Sequence, residues 1–223
     1  MHIEPGLVDG GKIWLSYATA LGAGGYALKL AVESVRARGL VSLAARSLVT
    51  TALVFSFFEV LPHHPVGVSE VHLILGSTLF LVFGAAPAAM GLAAGLLIQG
   101  LFFAPFDLPQ YGMNVTTLLV PLFGVAAVAR RVVAPGTPYV ELKYRQALAL
   151  STTYQAGIVA WVGFWALYGQ GFGAASEIAA FGAAYMLVIL VEPLVDLAVL
   201  GAAKALAGLR GSPLLERRLY DAA

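Results

Sequence analysis

The chain has 223 residues, a formal net charge of +1, 60% hydrophobic residues and only 11% charged ones. A composition this apolar excludes an ordinary soluble domain and points to an integral membrane protein. The near-neutral charge, without a basic cluster beside aromatics, argues against nucleic acid as a partner, and the absence of cysteine removes disulfides, zinc-thiolate sites and thiol catalysis together.

The chain opens Met1-His2-Ile3. A histidine directly after a free amino terminus can wrap three nitrogens around one metal ion: the terminal amine, the His2 backbone nitrogen and the His2 imidazole, leaving one equatorial place. Such a set suits the tetragonal, nitrogen-rich coordination of Ni(II) and Cu(II), with Co(II) a weaker fit on geometry alone. Any X-His start has this property, so it gains meaning only if a further ligand comes to the same place. Glu4 and Asp9 stand where a cleaved signal peptide would carry a short basic region, so Met1 is expected to be retained. The bulky His2 is also a poor second residue for the aminopeptidase that trims initiator methionine. Gly6 to Ile13 nearly spells a P-loop, but Ile13 replaces the serine or threonine that would hold magnesium and no strand precedes it, so no nucleotide is expected to bind this chain.

With a spanning length of about 20 residues in mind, apolar segments fall near 12–35, 40–61, 70–86, 88–104, 114–134, 147–169 and 175–206. That predicts an all-α membrane protein of about seven transmembrane helices, the third and fourth separated only around Ala85-Ala86-Pro87. Pro62 and Pro65, Pro105 and Pro109, Pro135 and Pro138, and Gly169-Gln170-Gly171 punctuate other joints. Arg36, Arg38, Arg46, Arg130, Arg131, Lys143, Arg145, Lys204, Arg210, Arg217 and Arg218 are eleven of the 13 basic residues. All fall on one side if the amino terminus is outside and the carboxyl terminus cytoplasmic, as the bias of basic residues toward the cytoplasm requires. The expected organisation is one multi-pass domain of the cell (inner) membrane: a loop at 1–11, a helix bundle at 12–206 and a cytoplasmic tail at 207–223.

This topology puts residue 2, the loop 62–72 and the loop 104–114 on the outer face. All four histidines, His2, His63, His64 and His72, then share that face with Glu4, Asp9, Glu70 and Asp107, an array that attracts cations. His63 and His64 are accounted for as loop residues preferring water, although either could join or replace His72 as a ligand. His72 differs because it opens an apolar helix.

The stretches MHIEPG, GVSEVHLILGSTL, LFLVFGAAP, LLIQGLFF and YGMNV resemble the CbiM/NikM family, the cobalt/nickel substrate-specific (S) components of energy-coupling factor transporters, a class of ABC transporter. The likeness is spread over about 1–15 and 55–125. It departs from the family's usual start at Glu4-Pro5-Gly6, carries one extra residue between Ser69 and His72, and has Leu75 in place of a usual glycine, which places the chain in a divergent branch. The resemblance implies that Met1 through its amine, His2 through backbone nitrogen and imidazole, and His72 through its imidazole hold Ni(II) or Co(II) as the transported ligand. Gln99 and Asn114 match polar family positions beside the tucked amino-terminal loop and are assigned its support; ligating imidazoles also need a second hydrogen-bond partner to fix the ring. The implied partners are a transmembrane coupling (T) subunit, a pair of ATPase subunits and a small auxiliary membrane subunit.

Ala23, Ala27 and Ala31 form a small-residue stripe, and Gly91 and Gly95 a GxxxG, both of which permit close helix approach. Internal packing is the plain reading; in this transporter class a small-residue face on the first helix resembles a surface that docks on the coupling subunit, which would give Ala27 and Ala31 that role. Lys29 and Glu33 are spaced as a local ion pair. Glu192 and Asp196, one turn apart around Pro193, are expected to pair with Lys29 or with backbone freed by the proline. A second function class would use these two acids as the relay of a stand-alone, proton-coupled carrier. An intramembrane hydrolase built on Ser69 or Ser77 ranks last, since no nucleophile elbow is present. The expected function is therefore metal binding for import, without catalysis by this chain.

Overall fold

Glycine sets two of the sharpest joints. Gly39 and Gly84 take φ of 82° and 89°, a backbone region that side chains oppose, and each is the single residue between consecutive helices. The computed structural model of the chain describes residues 3–8 and 10–221 and contains seven α-helices among them: α1 (Trp14–Arg38), α2 (Leu40–Glu59), α3 (Gly76–Phe83), α4 (Ala85–Phe102), α5 (Tyr111–Val132), α6 (Tyr144–Gln170) and α7 (Ala175–Ala205). Between α2 and α3 lies a two-stranded antiparallel hairpin, β1 (His64–Val66) and β2 (Ser69–Val71), in the register His64 to Val71 and Val66 to Ser69.

The expected helix over 70–86 is thus only partly helical. Its first residues belong to β2, and Leu75 adopts a left-handed φ of 57° that redirects the chain into α3. At eight residues α3 is about 12 Å long at 1.5 Å per residue, well short of the ~30 Å hydrocarbon layer. Among the described residues four stretches are long and apolar enough to cross a membrane: Leu40–Glu59, Ala85–Phe102, Pro105–Val132 and Tyr144–Ala205, the last containing both α6 and α7. Large apolar residues such as Leu21, Leu48, Leu187 and Leu190 are exposed along the helices. A soluble monomer rarely shows apolar surface on this scale.

Packing is closest between α2 and α4. A β-carbon on Gly91 would lie 2.4 Å from Thr50 Oγ1, and one on Gly95 would lie 2.7 Å from Val54 Cγ1; the GxxxG is an internal contact. Lys29 and Glu33 form the local pair at 3.9 Å. Glu192 and Asp196 do not meet Lys29. They are fully buried and contact Ser77, Thr78 and Gln155, because α7 turns that face toward α3 and α6 and away from α1.

The helix ends gather at two poles. At one, the segment 207–221 folds back on the bundle: Arg38 donates to the Leu215 carbonyl, Ser42 to Pro213, Arg218 to Ala134 and the Tyr220 hydroxyl to Ala203. The expected tail is a packed strap. At the other pole meet the amino-terminal loop, the hairpin, the start of α5 and the α6–α7 joint, where Lys12 Nζ donates to the carbonyls of Tyr168 and Gly169.

Candidate metal centre

The loop after the chain's start is fixed by main-chain bonds. Ile3 forms an antiparallel bridge with Ser69, the Glu4 amide donates to the Val68 carbonyl at 3.2 Å, and the Ile3 amide donates to Asn114 Oδ1 at 2.9 Å. Ile3, Leu7 and Val8 are buried apolar anchors in the shared core. Leu7 presses its carbonyl against Gly169, where a β-carbon would come within 1.9 Å of that oxygen. The antiparallel bridge, the bond to the Asn114 side chain and the buried Leu7 and Val8 hold Ile3 in an edge position beside β2. Met1 and His2, the residues assigned the chelate, lie outside the described residues, as does Asp9.

His72 stands just past the end of β2, three residues from the bridge. Its side chain is 1% exposed, and Nε2 lies 3.0 Å from Glu70 Oε2. The ring stacks on His63 at 5.0 Å with planes 9° apart, and Phe58 meets it edge-on at 5.4 Å. A carboxylate on Nε2 favours the tautomer that keeps its proton there, which puts the lone pair on Nδ1; this is the arrangement by which outer carboxylates orient ligating imidazoles. His64 is exposed on β1. Sequence reasoning did not find the His63 stack, since the signal is the hairpin register and the helical reading of 70–86 hid it.

Asn114 sits in the first turn of α5, 1% exposed, and Gln99 is buried in the last turn of α4. Burial, with Glu70 and Asp107 nearby, pushes the Glu4 carboxyl above its ordinary range, the signature of a crowded negative pole. Among the described residues no three His, Asp or Glu side chains converge to hold a metal ion. His72 with Glu70 and His63 beside it is a partial donor set.

Replacing Asn114 with alanine removes the acceptor for a buried amide. The expected cost is about 1–3 kcal/mol in loop docking, read as faster amide hydrogen exchange at Ile3, while Asn114→Asp, which keeps an acceptor, retains most of the protection. Equal exchange in both variants would show that Asn114 does not hold the loop.

The family described as CbiM, cobalt uptake substrate-specific transmembrane region, matches residues 2–207. The chain belongs to the CbiM family. A solved structure described as a truncated transition metal transporter superposes on the CbiM-family chain with a TM-score of 0.70, covering 92% of this chain and 99% of the other at 17% identity. At that identity the likeness speaks for the fold. No curated protein matches the CbiM-family chain. Family, exposed apolar surface and spanning stretches agree on a multi-pass α-helical membrane protein of a metal transport family, not of a known enzyme family.

Beside the centre, α1, α4 and α5 border an apolar groove of about 660 Å³ that includes Ala27, Ala31, Met90 and Tyr111 in its lining.

Proposed function

We propose that the chain is the substrate-binding membrane component of an ATP-driven, energy-coupling factor type importer that captures Ni(II) or Co(II) at its outer face. The ligands are the Met1 amine, the His2 backbone nitrogen and imidazole, and Nδ1 of His72, with Glu70 orienting the His72 ring and Asn114 and Gln99 supporting the loop. The amino terminus faces outside, seven helices cross or enter the membrane, and the strap of residues 207–221 faces the cytoplasm of the cell (inner) membrane. The observation that carries this reading is the clamp on Ile3, which starts the chain beside the strand that leads to His72. A nitrogen-rich set of this kind favours late first-row divalent ions over Mg(II) or Ca(II), which take oxygen.

Energy comes from partner ATPase subunits through a transmembrane coupling subunit, with a small auxiliary membrane subunit completing the assembly. The groove at Ala27 and Ala31 is the face assigned to the coupling subunit, because the small side chains let a partner helix approach closely. Release requires the amino-terminal loop to swing away from β2 once the partners tilt the protein.

Uptake of radioactive nickel or cobalt by cells producing the chain with coupling and ATPase subunits should exceed uptake by cells lacking the ATPase. Uptake that persists without any ATPase and disappears in Glu192→Gln would replace this reading with a proton-coupled carrier. Metal affinity should also fall as pH drops through the imidazole range near ~6.5, since protons compete for the same nitrogens. An affinity independent of pH between mildly acidic and neutral solution would exclude imidazole ligation.

A further inference from the structure

The interior of the bundle holds a second polar cluster, built on α3, α6 and α7. α3 contributes Ser77 and Thr78, α6 contributes Gln155, and α7 contributes Glu192 and Asp196; all five are buried. Ser77 Oγ lies 2.9 Å from Glu192 Oε1 and 2.8 Å from Asp196 Oδ2. Thr78 Oγ1 meets Asp196 Oδ1, and the side-chain nitrogen of Gln155 meets Glu192 Oε2. Among the described residues no lysine, arginine or histidine pairs with either acid.

Counting hydrogens shows what this arrangement lacks. A serine hydroxyl has one hydrogen to donate, yet Ser77 stands at hydrogen-bond distance from two carboxyl oxygens. Two ionised carboxylates would leave one of those contacts as bare repulsion between oxygens, and two uncompensated charges in the interior of a membrane protein are costly. Independently of the pair, two neighbouring buried atoms have no hydrogen-bond partner: Gln155 Oε1, on the amide that touches Glu192, and the Tyr154 hydroxyl. The Tyr154 ring is pressed against α3 at Gly76, next to Ser77, where a β-carbon would lie 2.1 Å from its Cζ. The cluster is therefore without a basic side chain, and Ser77 has one hydrogen too few to donate to both carboxyl oxygens it touches.

We propose that Glu192, Asp196 and Ser77 form a proton-binding site inside the bundle, with one proton shared by the two carboxyls. The protonated carboxyl donates to Ser77 Oγ, and Ser77 donates to the other carboxylate; Thr78 and Gln155 bond the outer oxygens. Contacts of 2.8 and 2.9 Å around one hydroxyl are ordinary O–H···O hydrogen-bond lengths. Two carboxyls sharing one site are also the setting in which a single proton is retained by the pair. The other titratable groups facing the pair are Tyr154 from α6 and Tyr185 from α7; neither supplies a positive charge. The bound proton lowers the charge that α7 carries through the apolar layer.

The test is infrared spectroscopy of the full chain in lipid at neutral pH, in H2O and D2O. The wild type should show the carbonyl stretch of a protonated carboxyl, displaced by deuteration, and the band should vanish in the Glu192→Gln/Asp196→Asn double variant. Ser77→Ala keeps both acids and removes the bridge, so it should shift the same band, which provides the assignment if the double variant does not fold. A wild type without such a band, or a band unchanged in both variants, overturns the proposal. A band absent in sodium buffer that emerges when choline replaces sodium overturns it in favour of a metal-cation site.

Discussion

A variant with four glycines placed ahead of Met1 should lose tight nickel and cobalt binding, while the same addition after Ala223 should leave it intact. The added residues move the amine four peptide units further from His2, too far for the two to close fused five- and six-membered rings, and leave the sequence from Ile3 onward unchanged. Ile3 should keep its bridge to Ser69 and its bond to Asn114, so the loop still docks and the fold is not at issue. His72→Ala removes the fourth donor of the proposed site. Its loss should exceed about 100-fold in affinity, the upper end of what removing an outer-shell partner costs, and Glu70→Gln should fall between about 10- and 100-fold because it only releases the orienting contact on Nε2. Equilibrium dialysis or calorimetry on the purified chain measures all four. Retention of metal by both the extended and the His72→Ala proteins would sink the terminal chelate and return attention to His63 and the carboxylates of the same pole.

Several parts of this architecture are visible in the sequence for identifiable reasons. Helix positions follow from long apolar runs broken by glycine and proline, since backbone groups in the membrane must be satisfied within a helix. The pairing of Lys29 with Glu33 follows from local spacing alone. Non-local features were harder to read. The stretch 69–75 is as apolar as a helix, and only the pairing of β2 with both β1 and Ile3 makes it extended. Glu192 and Asp196 carry no local sign that their partners lie on α3 and α6, more than 30 positions earlier in the chain. At the centre itself His72 stood out because an ionisable ring at the head of an apolar run is costly. His63 did not, because its stack depends on the hairpin register. In the sequence Arg46 is one more basic residue near a helix end, whereas the structure buries it.

That burial sets the second large effect, on stability. Arg46 is 1% exposed and binds four elements at once: Nη1 donates to the Phe83 carbonyl at 2.8 Å and meets Glu216 Oε2 at 3.3 Å, Nη2 donates to Ser34 Oγ at 3.0 Å, and Nε donates to the Ser42 carbonyl. It ties α1, α2, the α3–α4 joint and the strap together. Glu216 is held in turn by its own amide, which donates to the Val82 carbonyl at 2.7 Å. Arg46→Ala should destabilise the protein by about 3–5 kcal/mol, the cost of removing one partner from a buried charged contact, seen as a lowered melting temperature in detergent. Gly84→Ala should weaken the same knot from the opposite side. At φ 89° an alanine carries strain of about 1–3 kcal/mol, and its β-carbon would lie 2.2 Å from Glu216 Oε2, forcing that carboxylate off Arg46. Because both changes break one network, the double variant should be less destabilised than the sum of the two. Strict additivity would mean that the strap and the α3–α4 joint stabilise the bundle independently, and that Arg46 does not couple them.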